Sequence, residues 1–106
     1  MQTIIISMDA RKLENPDLDI RYTLPDRIAE WSEGAVKDNG YDYTDEEGFG
    51  LAVWLRTENA GEWWPKIVDL LKTEQFSGND LSKTAFVLIS QEDGASLDQC
   101  RQVYPE

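Results

Sequence analysis

Apolar and polar positions change period several times along the chain, and each change marks an element. Thr3 to Met8 is a short, β-branched apolar run closed by Asp9-Ala10-Arg11-Lys12, which predicts a first strand. Ile5 falls on one face and Ile4 and Ile6 on the other, so both faces are apolar, as suits a central strand. The period then becomes helical. Ile20, Leu24, Ile28 and Trp31 recur on one stripe, with Arg21, Arg27, Glu30 and Glu33 outward. Asn15-Pro16-Asp17 predicts the start of that helix, with Asn15 as N-cap, Pro16 as first helical residue and Asp17 in the dipole-favoured first turn. Pro25 predicts a kink, or two short helices meeting near Leu24-Pro25, and Gly34 ends the element.

Ala35-Val36-Lys37 and Tyr41-Asp42-Tyr43-Thr44 flank Asp38-Asn39-Gly40, where Asn-Gly favours positive φ. Either a small hairpin or one strand interrupted by a bulge fits. After Asp45-Glu46-Glu47-Gly48, the segment Phe49–Thr57 alternates cleanly. Phe49, Leu51, Val53 and Leu55 share one face; Gly50, Ala52, Trp54 and Arg56 share the other. A helix start lies within Thr57–Glu62, and Trp64, Ile67, Val68, Leu71 and Phe76 form its buried stripe, with Pro65 tolerable near the first turn. Ser77-Gly78-Asn79-Asp80 stops it. Thr84–Ser90 reads as a strand apolar on both faces, and Leu97–Tyr104 as a short final strand before Pro105.

The order strand, helix, strand, strand, helix, strand predicts a single α+β domain over residues 1–106: a two-layer, ferredoxin-like βαββαβ sandwich. Its sheet is antiparallel, with an extra strand at the C-terminal end. Right-handed crossovers place the first strand and Thr84–Ser90 in the middle, in keeping with their two-sided apolar character.

Composition narrows the function more than it names it. A length of 106 residues suits one domain, and 41% apolar residues argue for a packed core. The single cysteine, Cys100, forms no internal disulfide and suits a reducing interior. No run approaches a transmembrane length, and Met1 to Asp9 lacks the basic and long apolar regions of a signal peptide, so a cytoplasmic protein is expected. A net charge of -11 repels phosphate backbones and anionic lipid and favours a basic partner.

Catalytic chemistry finds little support. With no histidine, nucleophile–histidine pairs are excluded and the commonest general base and zinc ligand is missing. The acids from Asp42 to Gly48 miss the spacing of a calcium loop, and Gly48-Phe49-Gly50 lacks the third glycine and following helix of a phosphate loop. No metal or cofactor is therefore expected, and a binding protein is favoured over an enzyme. An acid–base pair of carboxylates is the remaining catalytic option.

Two surfaces stand out as binding candidates. Tyr41, Asp42, Tyr43, Asp45, Glu46 and Glu47 combine rigid rings with negative charge, which suits a basic protein surface. The alternative is a solvated hairpin whose tyrosines pack on the sheet edge. Trp31 and Trp64 read as core, whereas Trp54 falls on the sheet face away from the helices, where Ile4, Ile6, Val87 and Ile89 could join it. Such an apolar face suits a partner or a homodimer, unless a final strand or the tail covers it.

Asn15-Pro16-Asp17-Leu18-Asp19-Ile20-Arg21-Tyr22-Thr23-Leu24-Pro25 together with Asp38-Asn39-Gly40-Tyr41-Asp42-Tyr43 resembles a small, uncharacterised bacterial family of acidic α/β proteins. In general character the chain also resembles immunity proteins that neutralise bacterial toxins. That second resemblance implies a stoichiometric complex in which acidic and aromatic residues cover a basic active site. The competing expectation is a dimeric small-molecule-binding or regulatory domain built on the Trp54 face.

Overall fold

The computed structural model describes residues 1–15, 19–46 and 49–105. Five strands, β1 (Gln2–Asp9), β2 (Val36–Tyr43), β3 (Gly50–Thr57), β4 (Phe86–Ser90) and β5 (Arg101–Tyr104), form one sheet in the order β2-β3-β1-β4-β5. Every neighbouring pair is antiparallel. Two helices, α1 (Ile20–Trp31) and α2 (Ala60–Thr73), complete an α+β architecture. β1 lies at the centre, and its Ile4, Ile5 and Ile6 are wholly buried, as its two-sided apolar sequence predicts.

Register decides which side chains share a face. Ile4 opposes Leu55 and Ile89, Ile6 opposes Val53 and Val87, and Met8 opposes Leu51. This face packs with Ile20, Leu24 and Ile28 of α1 and Ile67, Val68 and Leu71 of α2 into one core. Ile5 opposes Trp54 and Leu88 on the other side. Ile4, Ile6, Val87 and Ile89 therefore belong to the helix-covered face and do not join Trp54, because a pairing period of two keeps them with Leu55 and Val53.

The far face is covered in its upper half by the loop joining β4 to β5. Thr3 Oγ1 donates to the Glu92 carbonyl at 2.7 Å and accepts from the Ala95 N–H at 3.2 Å. Trp54 Nε1 donates to the Ala95 carbonyl at 2.8 Å. A loop, rather than a final strand or the tail, thus shields Ile5 and half of Trp54. β5 instead extends the sheet beside β4.

α1 differs from its sequence signals at its start. It begins at Ile20 behind Asp19, whose carbonyl accepts from Tyr22 N and Thr23 N at 2.9 Å each. Pro16 and Asp17 lie outside the described residues. Asn15 is not the cap; it is held by Asn79, a residue 2% exposed in the turn before β4. Asn79 Oδ1 accepts from Asn15 N at 2.8 Å, and Nδ2 donates to the carbonyls of Asn15 at 2.8 Å and Phe76 at 3.1 Å. Asn15 Nδ2 returns a bond to the Ser77 carbonyl at 2.8 Å.

Both helices contain a proline. Pro25 sits within a single continuous α1, and Pro65 lies in the second turn of α2, one turn deeper than expected. Each removes one helical donor, yet burial of the flanking stripes in the common core holds both helices through the defect. α1 stops as predicted. Gly34, at φ 85°, donates its N–H to the Ala29 carbonyl at 2.9 Å. α2 starts at Asn59, whose Oδ1 accepts from Glu62 N at 3.1 Å. Arg27 then ties the helices together through the Glu74 carboxylate at 3.0 and 3.1 Å.

Two aromatics depart from the alternation. Phe49 precedes β3 and is exposed; Arg11 lies over its ring at 5.0 Å. Phe76 lies beyond α2 but is buried in the core. Trp31 and Trp64 are half-buried at the core's margin, Trp31 meeting Trp63 edge to face at 5.6 Å.

Candidate protein-binding ridge at the edge strand

β2 is an outer strand, and after Val36 every residue in it is exposed. It is one strand with a register shift between Asp38 and Tyr41, so the bulge rather than the hairpin is formed, with Gly40 at φ 97°. Two of its backbone donors are taken by its own aspartates. Gly40 N donates to Asp38 Oδ1 at 2.9 Å and Tyr43 N to Asp42 Oδ1 at 2.8 Å. With the bulge, these contacts discourage another strand from pairing here, so recognition at this edge falls to side chains.

Alternation sends those side chains to both flanks of the ridge. Tyr41 opposes Val53 and Tyr43 opposes Leu51, placing them on the helix side; Asp42 opposes Ala52, on the side of Trp54. On the helix side Tyr41 meets Tyr22 of α1 and, along its own strand, Tyr43. Tyr22 and Tyr41 lie edge to face with centres 5.7 Å apart and hydroxyls at 3.4 Å, and Tyr41 and Tyr43 lie edge to face at 6.1 Å. The three remain 49%, 39% and 40% exposed, so their contact leaves them open to a partner. Packing on the edge and availability are therefore both met.

Arg21 closes this cluster. Its guanidinium carbon stands 4.7 Å from the Tyr22 ring centre and 5.5 Å from that of Tyr41, and Nη1 is 3.4 Å from the Tyr43 hydroxyl. Tyr22 is held below the ordinary phenol value, first by the hydrogen bond with Tyr41 and then by Arg21. The same pairing raises Tyr41, first through the hydrogen bond with Tyr22. Sequence periodicity placed Arg21 in solvent and passed over Tyr22. No sequence pattern singles out either; both follow Ile20 directly and join the cluster only because α1 lies beside β2.

On the opposite flank, Tyr41, Asp42 and Trp54 line an open cleft with Asn39, Gly40 and Gly94. Asp45 serves a different end. Its carboxylate accepts from Phe49 N and Gly50 N at 3.0 Å each, bracketing the turn into β3. Glu46 is exposed, and Glu47 lies outside the described residues. The predicted residues thus divide, with Tyr41 and Tyr43 beside α1, Asp42 and Trp54 across the ridge, and Asp45 at its foot.

Among the described residues, no group of three or more His, Cys, Asp or Glu is arranged to hold a metal ion. Cys100 is half-buried, and burial followed by the Asp98 charge pushes its thiol up, favouring the protonated form over the nucleophilic thiolate. Among the described residues no helix is long and apolar enough to cross a membrane. No protein-family model, curated protein or solved structure matches the chain.

Proposed function

We propose that this chain is a non-enzymatic cytoplasmic binding protein, an immunity- or antitoxin-like inhibitor whose β2 ridge enters a basic cleft of a protein such as a bacterial toxin. The observation that carries this reading is the ridge itself. An edge strand exposed from Lys37 to Tyr43 carries rings on one flank and the Asp42–Trp54 cleft on the other, in a chain of net charge -11. An exposed edge in an acidic chain suits a basic site, and rigid rings give contact area with little ordering cost. The inner order β2-β3-β1-β4 also supports reading the first four strands and both helices as a ferredoxin-like unit extended by β5.

The test uses a purified candidate toxin of basic charge. In calorimetric titration, Asp42→Lys combined with Glu46→Lys is expected to weaken binding at least ~10-fold, and rising salt to weaken the wild-type complex. Asp45 is left intact because its carboxylate brackets the turn. Binding indifferent to both charge reversal and salt would remove the ridge from the reading.

A second reading is favoured by Phe86, which is 41% exposed on the uncovered lower half of the far face, opposite Ser7. Here the chain is a dimeric regulatory or small-molecule-binding domain that buries Phe86 between copies. Light scattering decides it. A mass of about twice 12.1 kDa that falls to 12.1 kDa on Phe86→Asp supports the dimer, and 12.1 kDa at all concentrations excludes it.

A further inference from the structure

The tyrosine cluster has the form of a box rather than a stack. Tyr22 and Tyr41 stand at 90° and Tyr41 and Tyr43 at 79°, so the rings make adjoining walls. The negative face of an aromatic ring attracts cations, and boxes of this kind recognise positively charged groups. This one is already filled. The Arg21 guanidinium lies over two of the rings and reaches the hydroxyl of the third.

Two observations set Arg21 apart from an ordinary structural arginine. In a chain with 21 acids it forms no ion pair with any carboxylate among the described residues, whereas Arg27 engages both Glu30 and Glu74. Its Nε is also sealed from solvent with no hydrogen-bond partner, an uncompensated loss in the filled state. The seat therefore suits a guanidinium better than it suits this one, which reaches it from the residue directly before Tyr22 and leaves one donor stranded.

We propose that Tyr22, Tyr41 and Tyr43 form a receptor for an arginine side chain of the basic protein partner, with Arg21 as an internal occupant that swings out when the partner docks. This rests on the ridge being the binding surface, and it names the group that surface takes. Occupancy by Arg21 lowers the apparent affinity by the fraction of time that the box is filled. Emptying it also removes a like charge from the site. Both effects have the same sign.

The probe is a capped Gly-Arg-Gly peptide, titrated while the tyrosine ring signals are followed by NMR. Arg21→Ala is expected to bind it about tenfold more tightly than wild type, the size of two exposed cation–ring contacts. The corresponding citrulline peptide, which keeps the shape and lacks the charge, should bind neither protein. Arg56→Gln, which removes one exposed positive charge on β3 outside the ridge, should behave as wild type, and Tyr22→Leu added to Arg21→Ala should abolish the gain. Arg21→Gln serves as a second emptying variant, and thermal unfolding checks that each is folded. Equal affinity of wild type and both Arg21 variants, equal binding of the citrulline peptide, or the same gain from Arg56→Gln overturns the proposal. If it is overturned while reversal of Asp42 and Glu46 still weakens toxin binding, the ridge stands and only the box is lost.

Discussion

Asn79→Ala is expected to lower the unfolding free energy by about 3 kcal/mol, with the denaturation midpoint falling and the slope unchanged. The side chain is almost wholly buried and satisfies Asn15 N, Asn15 O and Phe76 O at once. Truncation strands Asn15 N and Asn15 O, while Phe76 O keeps the Asn79 backbone N–H at 2.9 Å; each buried polar group left unpaired costs about 1–3 kcal/mol, with partial relief wherever water can enter. Hydrogen exchange gives the local readout: the Asn15 amide should lose protection before the β1 amides do. Asn79→Asp sharpens the argument. Its Oδ oxygens still accept from Asn15 N, but a carboxylate then faces the carbonyls of Asn15, Phe76 and Ser77, so its folded-state pKa is raised above the ordinary ~3.9. The deficit relative to wild type is therefore full at neutral pH and shrinks as pH falls through the raised pKa toward ~3.9. A deficit independent of pH, or an alanine variant within ~0.5 kcal/mol of wild type, would show that the asparagine pair does not hold this loop.

The second large effect concerns the loop over the far face. Thr3→Val keeps shape and removes one hydroxyl that donates to Glu92 O and accepts from Ala95 N. Thr3 is wholly buried and Ala95 nearly so, so the variant leaves the Ala95 N–H sealed without an acceptor and the Glu92 carbonyl, on an exposed residue, without its protein donor, and should cost about 2 kcal/mol. Thr3→Ser, which retains the hydroxyl, should cost well under half of that. Because Ala95 O also receives Trp54 Nε1, loosening this loop frees one wall of the Asp42–Trp54 cleft. Proteolytic cleavage within Gln91–Ser96 should accelerate in Thr3→Val and not in Thr3→Ser. Equal cleavage rates in the two variants would separate the loop from Thr3.

What the sequence discloses about this fold follows the strength of its local patterns. The two-sided apolar run Ile4-Ile5-Ile6 locates the central strand, and the alternation of Leu51, Val53 and Leu55 assigns the core face. The start of α1 is misread because Asn15-Pro16-Asp17 carries a strong local helix signal, while the observed bonds of Asn15 run to Asn79 and Ser77, distant in sequence. Neither proline divides its helix because tertiary burial outweighs one missing donor. The loop over Ile5 is invisible for a related reason. Gln91-Glu92-Asp93-Gly94-Ala95-Ser96 has no apolar period, and it is fixed by backbone groups meeting Thr3 and Trp54. At the ridge, Tyr41 and Tyr43 are legible as exposed rings, but Arg21 and Tyr22 become visible only once α1 lies beside β2.

The aspartates that bond back to their own strand bear on abundance. Under the inhibitor role proposed above, the protein has to be present in at least equal number to its target, so its soluble concentration sets how much target it restrains. Unprotected outer strands convert high concentration into intermolecular sheet growth. Asp38 and Asp42 engage two amides of β2, while β5, at the opposite margin, spans only Arg101–Tyr104 and is followed by Pro105. Both margins of the sheet thus carry features that oppose edge-to-edge growth at the concentration the proposed role requires.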